Sequence, residues 1–354
     1  MWIQVLLMAA GFVLLYYGAN WLVKGAANLA ESLGITPMVI GLTVVAFGTS
    51  APELVVSVMS SLAEKSMIAV GNAVGSNICN IALVLGATAC LMPMTTDKSV
   101  IRRDIPLMVA LSAFLLVLTL DSRISRIDGA CLFGGIILYT IFNYVISVRE
   151  SRLAAGAGGG VNRNAASSRE GISAADDEHV KQARELISEF ESGVEEIGHI
   201  ESKPLQILLI IIGIAGVVFG ARILIDAAVV VMTSLGVSEK FIGLTIVALG
   251  TSLPELATSV IAALRKEMDI SIGNLVGSNV FNLLSVIGAA ALVRPISIPG
   301  GFLESGLIYD YLMMMAVSIL PWFMMKKDNT LHRSGGLVLL SCYFGYMIYL
   351  VIIG

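Results

Sequence analysis

The chain has 354 residues, 56% apolar and only 14% charged, with a formal net charge of −4. A mean hydropathy of +0.88 excludes an ordinary soluble protein, and the slight acidity offers no footprint for nucleic acid. Cys79, Cys90, Cys131 and Cys342 all lie in apolar runs, without the spacing of a disulfide framework or a zinc site.

Crossing a bilayer takes about 20 apolar residues. Ten stretches qualify: 3–23, 37–60, 67–92, 104–120, 128–148, 205–233, 240–262, 270–293, 306–325 and 335–353. The pattern predicts an all-α membrane protein of ten transmembrane helices. The first stretch has no basic region before it, the first lysine being Lys24, so it is expected to stay as a membrane helix rather than to be cleaved. Trp2 and Trp21 are expected in the aromatic belts at its two ends. Asp121-Ser122-Arg123 and Lys326-Lys327-Asp328-Asn329 read as polar breaks between spans.

Residues 149–203 differ in character. A Gly/Ala/Ser-rich segment reads as linker, and an acidic helical pattern follows. Val180, Ala183, Ile187, Phe190, Val194 and Ile197 recur there at alternating spacings of three and four, interrupted by Gly193. A solvated loop helix is the expectation and a regulatory contact the alternative.

Residues 41–86 recur without a gap as residues 243–288, every aligned pair 202 positions apart. An internal repeat of this quality dictates the architecture. It divides the chain into a first five-helix repeat at 1–148, the loop at 149–203 and a second five-helix repeat at 204–354. An odd number of spans per half makes the second copy enter the membrane from the opposite side, so the repeat is inverted, a plan that places a transporter's site at the midplane. Lys24, Lys98, Arg102, Arg103, Arg265, Lys266, Lys326, Lys327 and Arg333 fall on the side of the central loop, against Lys65, Arg123, Arg126, Lys240 and Arg294 on the other. The positive-inside rule puts the central loop in the cytoplasm and both termini outside.

Glu53 and Glu255 sit mid-span. A carboxylate at the bilayer centre costs about 2.5–3.5 kcal/mol even on the lenient insertion scale, so a symmetric pair is expected to serve a function. Thr43, Ser50, Glu53 and Ser57 share one helix face, as do Thr245, Ser252, Glu255 and Ser259. Pro52 and Pro254 withhold a backbone donor, so each helix is expected to break near Gly48 or Gly250 and expose carbonyl oxygens. Asn72, Ser76 and Asn80 form the opposing wall, repeated as Asn274, Ser278 and Asn282; the glycine pairs Gly71/Gly75 and Gly273/Gly277 let helices approach closely. A site of oxygen ligands only, with His179, His199 and His332 all in loops, suits a hard cation such as Ca²⁺ or Na⁺ and not Zn²⁺ or copper. Residues alone therefore lead to a hard-cation transporter. Arg222 and Asp226 read as an intrahelical ion pair, Lys24 aligning with Asp226. Glu31, Asp97, Asp104 and Glu304 read as solvated interfacial groups.

GTSAPEL and GTSLPEL, followed by GNAVGSNICN and GNLVGSNVFN, resemble the α-repeat signatures of the cation/Ca²⁺ antiporter superfamily, in its prokaryotic sodium/calcium exchanger branch. The resemblance covers the chain apart from the central loop. It implies a secondary transporter, not an enzyme, with no resident cofactor. Glu53 and Glu255 would bind Ca²⁺, helped by the backbone carbonyls of Thr49 and Thr251. Na⁺ would share the two carboxylates and use Ser50, Ser252, Ser76 and Ser278, with the carbonyls of Ala46 and Ala248 as lesser candidates. Asn80 and Asn282 would line the centre, and the first and sixth spans would slide to alternate access. Some members carry Asp where this chain has Asn282, which leaves open a role for K⁺ or H⁺ beside or in place of Na⁺.

Overall fold

A computed structural model describes residues 2–156, 199–236 and 250–353. They are almost entirely helical. The order is α1 (Trp2–Leu33), α2 (Pro37–Thr49), α3 (Ala51–Leu62), α4 (Ser66–Leu91), β1 (Met94–Thr95), α5 (Ile105–Thr119), β2 (Arg123–Ile124), α6 (Arg126–Gly156), α7 (Lys203–Ser234), α8 (Leu253–Leu264), α9 (Met268–Val293), β3 (Ile296–Ser297), α10 (Leu307–Met325), β4 (Thr330–Leu331) and α11 (Arg333–Ile353). Seven of these helices are long and apolar enough to cross a membrane, and eight when α2 and α3 count as one bent span. Large apolar side chains such as Phe12, Val117, Leu138, Ile211 and Ile348 face outward, and serines, threonines and asparagines are buried among an apolar core. An apolar outer surface suits a hydrocarbon solvent, in which helices satisfy their own backbone polar groups.

The first helix runs ten residues past the end predicted for it. Nothing in GAANLAESL breaks a helix, so it ends only at Gly34, at φ 65°, ahead of Pro37. Trp21 consequently stands within α1 rather than at an end. Asp104 is a second departure. It is 1% exposed, held by Arg103 at 2.8 Å, because a π-helical turn at Val100–Asp104 extends α5 upstream and draws it into the bundle. Arg222 and Asp226 do pair, at 3.8 Å on the exposed face of α7. The apolar stripe at 180–197 and the start of the span predicted at 240–262 lie outside the described residues.

The repeat is visible in the elements. α3 and α8, α4 and α9, β1 and β3, and α5 and α10 begin at aligned positions. β1 pairs antiparallel with β4 (Met94 opposite Leu331), and β2 with β3 (Arg123 opposite Ser297). Exchanging the halves turns one pair into the other. The pairs sit at opposite ends of the bundle, since β1 and β2 flank α5.

Two close approaches order the helices. α1 lies on α7 with backbones nearly touching: a Cβ on Gly18 would stand 2.6 Å from Val217 N. α2 lies on α9, where a Cβ on Gly277 would stand 2.6 Å from Leu42 O. Small residues are what permit such contacts between membrane helices. The halves are not covered equally. Thr258 and Ile261 of α8 are 0% and 7% exposed, and Ile261 packs with Leu22, Val23 and Ala26 of α1. The aligned Val56 and Met59 of α3 are 37% and 59% exposed.

Gly18→Leu forces α1 off α7, and overpacking of this kind costs about 1–3 kcal/mol. The melting midpoint of the detergent-purified variant is expected several degrees below wild type; an unchanged midpoint would show that the two backbones do not meet there.

Candidate functional site

The chain bends by 46° between α2 and α3. Ser50 occupies the break at φ −84°, ψ 5°, and Ser252 has nearly the same geometry before α8, at φ −91°, ψ 4°. Pro52 and Pro254 fall in the first turn of the following helix, where a missing N–H costs nothing. That places Glu53 and Glu255 one residue further, in the first turn of α3 and α8. The helix dipole favours an anion there by about 0.3–1 kcal/mol. A serine ahead of a helix normally caps it with its side chain. Neither serine does so. Ser50 Oγ donates instead to Glu255 Oε1 at 3.2 Å, and Ser252 lies beside Cys79.

Both carboxylates are 0% exposed and lie within electrostatic reach of each other. Among the described residues no ion pair reaches either one. Among the described residues, Glu53 Oε1 and Oε2, Glu255 Oε2, Asn80 Oδ1 and Asn282 Oδ1 are all buried without a hydrogen-bond partner. Ser76 lies beside Glu53. Thr49 and Ser278 lie beside Glu255, their hydroxyls 3.4 Å apart. Asn80 and Asn282 stand in π-helical segments, Cys79–Leu85 and Asn282–Val286, a widening of the helix often found at functional positions.

Other predicted positions hold the walls together. Thr43 Oγ1 donates to Val39 O within its own helix at 2.6 Å. Asn72 Nδ2 donates to Ser57 Oγ at 2.9 Å and to Glu53 O at 3.1 Å, clamping α4 to α3. Asn274 repeats the clamp on Ser259 at 3.0 Å and accepts from Thr49 Oγ1 at 3.0 Å. The carbonyl of Ala46 accepts the Ser50 N–H at 3.0 Å, so it is engaged within the break. Thr251 is half-buried beside the second break. Thr245 and Ala248 lie outside the described residues. Two buried residues escaped the sequence reading, Asn77 and Asn279. Their signal was present, since each is the aligned partner of the other.

The donor set is carboxylate, amide and hydroxyl oxygen. Among the described residues, no three His, Cys, Asp or Glu gather as a metal cluster. A buried set of oxygen acceptors, several of them without a donor among the described residues, is chemistry that suits a desolvated hard cation.

The family model for sodium/calcium exchanger proteins matches residues 3–145 and 205–352. The chain is 32% identical to the putative antiporter CaxA of Alkalimonas amylolytica over 350 residues, 98% of both chains. It is 29% identical to the sodium/calcium exchanger MaX1 of Methanosarcina acetivorans over 372 residues, again 98% of both. Its fold matches a solved structure of the sodium-calcium exchanger NCX_Mj, soaked with zero Na⁺ and Ca²⁺, at TM-score 0.75 and 28% identity, covering 98% of both chains. The chain therefore belongs to the sodium/calcium exchanger family, in its prokaryotic branch, a family of multi-pass membrane antiporters rather than enzymes.

Proposed function

We propose that the chain exchanges Na⁺ for Ca²⁺ across the membrane by alternating access, the ions competing for Glu53 and Glu255. One observation carries the reading: among the described residues, five carboxylate and amide oxygens of Glu53, Glu255, Asn80 and Asn282 are buried without hydrogen-bond partners, and no cationic side chain pairs with either glutamate. Such a site costs free energy unless a cation occupies it. Ca²⁺ takes the two carboxylates with the backbone carbonyls of Thr49 and Thr251. Na⁺ ions share the carboxylates and draw on Ser50, Ser252, Ser76 and Ser278. Asn80 and Asn282 are neutral amides, so the site holds two formal charges. That observation favours a second reading, in which K⁺ or H⁺ takes part.

In this reading ten spans form two inverted repeats, with both termini outside and the loop at 149–203 cytoplasmic. Between Glu255 and the cytoplasm, α8 is covered by α1; the matching face of α3, toward the outside, is open. Sliding of the α1–α7 pair along its glycine contact would exchange the two conditions.

Uptake of ⁴⁵Ca²⁺ into proteoliposomes is expected under an outward Na⁺ gradient and to fall to background in Glu53→Gln and in Glu255→Gln. Full uptake in either variant would defeat the assignment, and uptake driven by a K⁺ or pH gradient without Na⁺ would replace Na⁺ as the counter-ion. For the topology, alkaline phosphatase fused after Gly354 is expected to be active in a bacterial host; activity only when the fusion is made within 157–198 would reverse the orientation.

A further inference from the structure

An amide is a two-faced ligand. Its oxygen binds a cation, its NH₂ repels one, and a half-turn about the last side-chain bond exchanges them. If Asn80 and Asn282 line the cation site, something must hold them with their oxygens, not their NH₂ groups, toward the ion. We propose that Asn77 and Asn279 are the positioning residues that do so, each from the opposite repeat; the proposal rests on the cation-site reading above.

The contacts run crosswise. Asn80 Nδ2 donates to Asn279 Oδ1 at 3.1 Å, and Asn282 Nδ2 donates to Asn77 Oδ1 at 3.1 Å. These acceptors are fixed in turn. Asn77 Nδ2 donates to Asn279 O at 3.3 Å and faces Met314 Sδ at 3.7 Å. Asn279 Nδ2 faces Met108 Sδ at 3.4 Å. Rotating Asn77 by a half-turn would set its oxygen against a carbonyl oxygen and a thioether, and rotating Asn279 would set oxygen against sulfur. All four asparagines are at most 1% exposed, so water offers no substitute partner. The NH₂ groups of Asn80 and Asn282 are thereby spent away from the ions. Their Oδ1 atoms are left without a hydrogen-bond partner among the described residues, as are Glu53 Oε1, Glu53 Oε2 and Glu255 Oε2, and in the cation-site reading these oxygens serve the same ions. Outer partners that orient a metal ligand are typically worth about 10–100-fold in affinity.

The network also restricts what position 282 accepts. A carboxylate at 282 has no hydrogen to give Asn77 Oδ1 and would place two acceptors face to face. An amide there keeps the site at two charges.

The test is Ca²⁺ uptake into proteoliposomes holding the full chain, under whichever counter-ion gradient drives the wild type. Asn77→Ala, the volume-preserving Asn77→Leu, and Asn279→Ala are each expected to raise the KM for Ca²⁺ about tenfold with Vmax retained. Asn77→Ala is further expected to add nothing in an Asn282→Ala background, because it acts only through that amide. An unchanged KM, a loss of Vmax at constant KM, or full additivity of the double variant overturns the proposal and leaves the exchange reading standing. Wild-type vesicles that accumulate no Ca²⁺ under a Na⁺, K⁺ or H⁺ gradient overturn the exchange reading and the proposal with it.

Discussion

Two carboxylates shut away from solvent, with no cationic side chain paired to them among the described residues, set the terms for the rest of the molecule. Glu53 and Glu255 repel each other, and desolvation penalises both. The fold lowers that expense without removing it. Each glutamate stands in the first turn of a helix, and each has a serine, Ser76 or Ser50, within reach of its carboxylate. Had the fold supplied an arginine instead, the pair would be a structural salt bridge with nothing left to bind. Partial compensation is what the proposed transport site would require, since a site satisfied by its own protein has no use for an ion.

Partial compensation demands a rigid surround. The glutamates are carried by helices whose preceding turn is broken, so their position depends on neighbours more than on their own chain. Asn72 and Asn274 supply that support by clamping α3 to α4 and α8 to α9. The crosswise asparagines join the two repeats. The polar residues thus divide between those with an oxygen left over and those whose hydrogen-bonding capacity is consumed in holding the first set still.

Much of this was legible in the chain itself. Glu53 and Glu255 stood out because a charge inside an apolar run is costly and because each occurs at the same place in a repeated segment. Spacing could not separate ligands from clamps. Ser57 and Asn72 share helix faces with Ser50 and Ser76, yet both meet partners across a helix–helix contact, and facing alone does not say how far along a face the site extends. Asn77 and Asn279 were missed for a related reason. They lie one residue off the Ser76–Asn80 stripe, and their partners belong to the other repeat, so no single helix displays them together. Asp104 reads as a solvated interfacial group in the sequence; a π-helical turn not visible in the residue pattern buries it.

The two short strand pairs bear on how such a molecule can move. β1 with β4 and β2 with β3 each tie one half to the other, and they do so at opposite ends of the bundle. A clasp at only one end would leave a hinge, and the halves could yawn apart at the other. Clasped at both ends, the core behaves as a closed picture frame, stiff against rocking in either direction. In the proposed exchange, movement would be left to what lies outside the clasps, and the long pair α1 and α7, joined to each other through bare glycine backbone, is so placed.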